Sequence, residues 1–186
     1  MMSFLSPRTN RNAAESAVEK LEELGINFVA LDFDCTVLDV HTFGRWEGTV
    51  EDLHDHIRPE LKNLMLKALE KDIKLAIVTY SPQIHIVRGI VEHIVGPERV
   101  SLIPIRGGDK SWKYTGEGSM EGKQPFMASA VEELEQNGAI AITKATTVLI
   151  DDDRRNIRHA LQDGVRAVWL NPEKPHRVLT DLGKLV

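Results

Sequence analysis

Short apolar runs alternate along this chain with longer stretches in which apolar residues return every three or four positions. NAAESAVEKLEELG (12–25) puts Ala14, Val18, Leu21 and Leu24 on one face and ends at Gly25, which predicts an amphipathic helix with a glycine stop. INFVALDF (26–33) is β-rich and nearly all apolar, the pattern of a strand buried on both faces of a parallel sheet. After a polar stretch from 39 to 58, PELKNLMLKALEKD opens with Pro59 at a first helical position and repeats Leu61, Leu64, Met65 and Leu69. IKLAIVTY (73–80) predicts a second strand, PQIHIVRGIVEHIVG a helix closed near Gly96, and RVSLIPI (99–105) a third strand. RGGDKSWKYTGEGSMEG is too rich in glycine and polar residues for regular structure. A helix over KQPFMASAVEELEQNG stops at Gly138. TTVLID (146–151) then predicts a fourth strand, RRNIRHALQDG a helix and VRAVWL (165–170) a fifth strand.

This alternation predicts an α/β fold: a doubly wound, Rossmann-like parallel sheet of about five strands with right-handed crossovers and helices on both faces. In such a sheet ligands bind beyond the carboxyl ends of the strands. The core would run from about 26 to 171, preceded by the helix over 12–25, within one domain spanning 1–186.

Composition narrows the classes. With 42% hydrophobic and 27% charged residues and a net charge of −5, the chain reads as a globular protein without the basic footprint of a nucleic-acid binder. No apolar run is long enough to span a bilayer, so a membrane-embedded protein is not expected. The single cysteine, Cys35, has no intramolecular partner, and the amino-terminal MMSFLSPRTNRN lacks the order of a secretory signal. A reducing, cytoplasmic setting is the expectation.

The polar residues that break the apolar pattern fall at one rim of the predicted sheet. Asp32 and Asp34 end the first strand, Thr79 and Ser81 the second, and Asp151, Asp152 and Asp153 the fourth, while Lys123 opens the helix that leads to it. Several carboxylates around one point repel one another unless a hard cation neutralises them. Mg²⁺ suits a few oxygens plus water and a substrate phosphate, with Asp32 and Asp152 as candidate ligands. A carboxylate held there can attack phosphorus to form an aspartyl-phosphate, and Asp34, two residues on, can protonate the leaving oxygen and later deprotonate water. Thr79 and the following backbone N–H groups, at Tyr80 and Ser81, would bind the phosphoryl oxygens. Lys123 would offset the anionic charge of the phosphoryl group and the nucleophile.

At these residues the chain resembles the haloacid dehalogenase superfamily. DFDCT (32–36) is similar to its DxDx[TV] motif, LAIVTYS to its apolar strand ending in Thr or Ser, GKQPF to its lysine at a helix start, and VLIDDDRRN to its acidic pair closing a strand. The resemblance implies a single haloacid-dehalogenase-like hydrolase domain. In it Asp32 would be nucleophile and metal ligand, Asp34 the general acid/base, Thr79 a phosphoryl binder, and Lys123 the electrostatic partner. Mg²⁺ would lie among Asp32, Asp34, Asp151 and Asp152. The presence of Asp34 favours the phosphatase branch. DDDRRNIRHALQDGVRAVWL most resembles the small magnesium-dependent phosphatases, described as acting on phosphotyrosine or on sugar phosphates attached to protein amines.

Two positions depart from that pattern. The loop 106–122 is longer than a minimal member needs, which leaves Lys110 and Lys113 as alternatives to Lys123, and Cys35 stands where many relatives have glycine. The short insertions on either side of Thr79 imply a capless enzyme with no separate cap domain. Its open site would suit a phosphorylated protein, a sugar phosphate or another phosphomonoester, with a neighbouring subunit as an alternative cover. The competing expectations are a catalytically silent scaffold of the same fold and a phospho-receiver-type module binding a phosphorylated partner. In a receiver the acidic pair sits at the first strand and the lysine comes last, the reverse of the order here.

Elsewhere ordinary readings prevail. His41, His54 and His56 lack the spacing of a transition-metal site. Trp46, Trp112 and Tyr114 lie in loops at the predicted rim, as substrate contacts or as loop anchors. Arg154, Arg155, Arg158 and Arg166 read as solvated helix and strand residues, and Asn156 as a group that orients the acidic loop.

Overall fold

The computed structural model describes residues 7–109, 111–138 and 141–186; the start of the amino-terminal stretch and Lys110, both read above, lie outside them. Helix α1 spans Pro7–Glu23, beginning earlier than its apolar period suggests. It ends in a glycine turn: Gly25 takes φ +68, and its N–H and that of Ile26 donate to the carbonyls of Glu22 and Leu21.

Strands β1 (Phe28–Leu31), β2 (Lys74–Val78), β3 (Ile105–Arg106), β4 (Thr147–Asp151) and β5 (Arg166–Trp169) form one parallel sheet in the order β3-β2-β1-β4-β5. The α-helices that follow α1 are α2 (Pro59–Glu70), α3 (Ile84–Val95), α4 (Pro97–Val100), α5 (Gln124–Gln136), α6 (Arg154–Gln162) and α7 (Arg177–Leu182), with short helical turns at Phe33–Val37, Glu51–His56 and Lys144–Thr146. Side chains alternate across each strand. Val29, Leu31, Leu75, Ile77, Val148 and Ile150 therefore pack with α1, α2, α3 and α7, while Phe28, Ala30, Ala76, Val78 and Leu149 pack with α5 and α6. The three-layer α/β expectation holds, and no helix of the described residues is long and apolar enough to cross a membrane.

Two elements differ from the expected pattern. The third strand shrinks to two residues because Gly96, at φ +90, ends α3 and Pro97 starts a fresh turn that takes Arg99 and Val100 into α4. Pro104, which has no N–H to offer a ladder, contributes only its carbonyl, to the N–H of Ile77. Beyond β5, α7 buries Val178, Leu179 and Leu182 against the layer that holds α1.

Register sets the height of the rim. Leu31 pairs with Ile77 on one side and Ile150 on the other, so the next residues, Asp32, Val78 and Asp151, stand level at the ends of three adjacent strands. Between β1 and α2 the chain makes a hairpin-closed flap. Leu38 bridges Ile57, Asp39 N–H donates to the carbonyl of His56 and Arg58 N–H to that of Val37.

Candidate active site

Beyond β1 the backbone makes one wide turn, closed by the Leu38 N–H on the Phe33 carbonyl at 3.0 Å. Asp34 is extended and Cys35 left-handed at φ +58 within it, so the two aspartates flanking Phe33 both reach the rim while Phe33 itself enters the core. Thr36 follows, fully buried. Its Oγ1 accepts from Asp152 N–H at 3.1 Å and lies 3.3 Å from Asp152 Oδ1, tying the β1 turn to the β4 turn.

A cavity of about 330 Å³ opens over these strand ends, lined by Asp32, Asp34, His41, Thr79, Tyr80, Asp151, Asp152, Asp153 and Asn156. Lys123 does not line it but meets Asp32 from the buried side. Gly122 turns the chain at φ +56, and the lysine side chain, wholly buried, donates to Asp32 Oδ1 and to the Val78 carbonyl, each at 2.7 Å. Lys113 is exposed and lines no part of the cavity, so of the described lysines Lys123 is the one beside Asp32.

The acidic residues separate into two roles. Asp32, Asp151 and Asp152 each place a carboxylate oxygen within 4.8 Å of the others, and among the described residues they are the group able to hold a metal ion. Asp34 stands outside that cluster. Thr42 N–H donates to its Oδ1 at 2.8 Å, and His41 Nδ1 lies 3.6 Å from its Oδ2, so its side chain belongs to the flap side of the cavity. The His41 ring nitrogen also accepts from Phe43 N–H at 2.9 Å, and the ring stacks on Phe43.

Lys123 pairs with Asp32 alone, and burial raises the proton affinity of all three carboxylates. Burial holds the Asp32 carboxyl above the ordinary range, opposed by Lys123. Burial, and then the charge of Asp32, push Asp151 up to about 8, and the same two causes raise Asp152. A hard divalent cation fits this all-oxygen, charge-deficient set. Asp151 is held in place from two sides, its Oδ1 accepting from Asp153 N–H at 2.8 Å and its Oδ2 from Asn156 Nδ2 at 2.9 Å. Asp153 caps α6 through the Arg155 N–H. The orienting role read for Asn156 is therefore seen directly.

Thr79 caps the end of β2, and its Oγ1 accepts from Ser81 N–H at 3.1 Å. Ser81 does not line the cavity and its N–H is thereby engaged, whereas Tyr80 lines it. The loop 106–122 bears on this turn from behind. Gly108 N–H donates to the Ser81 carbonyl, and a Cβ at Gly108 would meet the Tyr80 carbonyl oxygen at 2.2 Å.

The loop aromatics act as anchors. Trp112 donates from Nε1 to the Gly107 carbonyl and packs on Phe126, Trp46 donates to the Thr49 carbonyl, and Tyr114 Oη accepts from Gly118 N–H; none of them lines the cavity. His41, His54 and His56 do not converge, since His54 stacks on His93 and His56 pairs with Asp39. Burial pushes the Cys35 thiol up to about 11, which leaves it protonated at neutral pH and a poor nucleophile. Arg154 lies over the Trp169 ring.

Sequence reasoning missed Arg58, His41 and the side chain of Tyr80. Arg58 is buried behind the β1 turn and donates from Nη2 to the Cys35 carbonyl at 3.3 Å, fixing the turn that carries the aspartates. Its only sequence signal is a cation directly before the proline that starts α2. A second cavity, of about 260 Å³, lies at the amino-terminal ends of β1 and β4 against α5 and shares no lining residue with the first.

No family model matches this chain, and no curated protein matches it. Among solved structures, the crystal structure of an uncharacterized protein from Corynebacterium glutamicum is 17% identical, covers 87% of this chain and 97% of that chain, and superposes with a TM-score of 0.49.

Proposed function

We propose that this chain is a magnesium-dependent phosphomonoester hydrolase of haloacid dehalogenase type that works through an aspartyl-phosphate. The observation that carries the reading is one contact in its setting: Lys123 Nζ at 2.7 Å from Asp32 Oδ1, with Asp151 and Asp152 oxygens clustered beside the same carboxylate. Purely structural ion pairs do not need two further aspartates facing them across a cavity.

Asp32, Asp151 and Asp152 would hold the cation, which when bound supplies neutralising charge to the carboxylates and the substrate phosphate. The remaining work falls to the chain. Lys123 orients Asp32 by binding one oxygen, so the other can attack phosphorus; an Asp32 O–P bond forms as the ester P–O bond breaks. Asp34, on the flap side, gives its proton to the departing oxygen. It then takes a proton from water, whose oxygen attacks phosphorus, breaks the Asp32 O–P bond and releases inorganic phosphate. Thr79 and the backbone at Tyr80 border the phosphoryl group, and the fixed donors around it are aimed where negative charge accumulates. Phosphorylated small molecules or phosphorylated protein side chains are the substrate class, since the flap 39–57 covers only one side of the cavity.

The test is hydrolysis of p-nitrophenyl phosphate in Mg²⁺ by the wild type beside Asp32→Asn and an EDTA control. Turnover in the wild type that is lost in both controls supports the reading. Phosphate or phosphopeptide binding without turnover would replace it with a silent scaffold.

A further inference from the structure

Lys123 is completely buried, yet the side chain that covers its ammonium is half in water. Two of the lysine's N–H groups go to Asp32 and to the Val78 carbonyl, and the face of the Tyr80 ring lies over Nζ with its centroid 4.0 Å away. Tyr80 itself is 55% exposed and lines the cavity, and its ring is the nearer of two over the ammonium, the Phe126 centroid lying at 5.6 Å. A cation over a ring face is attracted by the ring's quadrupole, more so where water is excluded. An aliphatic cover would exclude water without offering that attraction.

The side chain is itself held at its ring edge and at its hydroxyl. Its edge meets Phe126 at 5.3 Å and 87°, Phe126 carries Trp112 of the 106–122 loop at 4.6 Å, and the Tyr80 hydroxyl donates to Asn156 Oδ1 at 3.4 Å. Asn156 in turn holds Asp151. One side chain thus touches both the lysine that orients Asp32 and the amide that orients Asp151. Nothing in its exposure calls for such a network.

We propose that Tyr80 is a positioning residue: its ring clamps the ammonium of Lys123 against Asp32 and its hydroxyl links that clamp, through Asn156, to the acidic turn after β4. The catalytic part of this inference rests on the phosphatase reading, while the clamp itself does not.

Two measurements keep the two apart. Acylation of Lys123 by an N-hydroxysuccinimide ester, followed by mass spectrometry of its peptide, reads the cover without any enzymatic activity. Tyr80→Ala is expected to raise the labelling rate on the order of tenfold or more, and Tyr80→Phe to leave it near the wild-type value. Aryl phosphate turnover reads the clamp. Tyr80→Leu, which keeps an apolar cover and removes the π-face, is expected to lower kcat on the order of tenfold with KM nearly unchanged, and Tyr80→Phe to recover most of the loss. A loosened fold would instead lower the melting temperature of Tyr80→Leu and depress both variants alike. Labelling of Tyr80→Ala at the wild-type rate, or a Tyr80→Leu enzyme with wild-type kcat, overturns the proposal. If the wild type hydrolyses no phosphoester, the phosphatase reading fails, and the labelling result still decides whether Tyr80 clamps the lysine.

Discussion

Lys123 is wholly buried and pairs with one carboxylate, so removing its amine acts on stability and on the proposed chemistry together. Lys123→Met leaves Asp32 facing Asp151 and Asp152 with no cation of the chain between them. Turnover of an aryl phosphate is expected to fall by at least about 100-fold, and the metal-free variant to lose on the order of 3 kcal/mol of stability near neutral pH. The deficit should shrink in acid, where Asp32 can take a proton; denaturant titrations of both proteins at two pH values check this. Residues of this kind were legible in the sequence because they are polar where the surrounding pattern is apolar: Asp32, Asp34, Thr79 and Asp151 interrupt strand ends, and Lys123 precedes a clear helix. The side-chain roles of Tyr80, His41 and Arg58 were not, because an aromatic closing an apolar strand, or a histidine or arginine in a polar stretch, breaks no pattern. Their roles exist only once β1, β2 and the flap are adjacent.

At the scale of elements, the turn after β4 is where pH should be felt. In the metal-free fold Asp151 keeps its proton to about pH 8, against an ordinary value of 3.8. Between those values the unfolded chain has released a proton that the folded chain retains. Each rise of one pH unit therefore costs the folded state stability, at most about 1.4 kcal/mol for one proton. In EDTA the melting temperature is expected to fall from about pH 5 to about pH 7.5, and added Mg²⁺ to restore it by mass action, more strongly at the higher pH. A melting temperature in EDTA that climbs over this range would contradict the burial of Asp151. The turn after β2 answers to geometry instead. Gly108→Ala drives a Cβ onto the Tyr80 carbonyl, which as backbone cannot swing aside, so the turn proposed to bind phosphate must shift. KM for an aryl phosphate is expected to rise several-fold while the fold persists, and steady-state kinetics with a melting curve separate the two effects. The same region shows where element reading stops. RVSLIPI has the composition of a strand, but Gly96 and Pro97 restart a helix ahead of it, and only Ile105 and Arg106 reach β2.

For the molecule as a whole, the layer order followed from the β-α alternation, since buried parallel strands with helices between them have few other ways to cover both faces. The carboxyl-terminal helix did not, because six residues give too little period to read. Leu182 on α7 is nonetheless fully buried in the layer that holds α1 and α2. Leu182→Ala is expected to cost about 2–4 kcal/mol with kcat unaltered, measurable by urea unfolding, because this layer lies behind the sheet and lends the cavity no side chain. The central strand β1 pairs with β2 and with the much later β4, and the partners that meet at the rim are far apart in the chain: Asp32 and Lys123 by 91 residues, Thr36 and Asp152 by 116. During synthesis on the ribosome Asp32 emerges first and waits for most of the chain before Lys123 or the turn after β4 exists. Closing such long loops is slow, and no local segment can rehearse the arrangement beforehand. On the proposed phosphatase reading, nascent chains and fragments ending before β4 should accordingly be silent toward phosphate esters, and turnover becomes a report on the completion of folding.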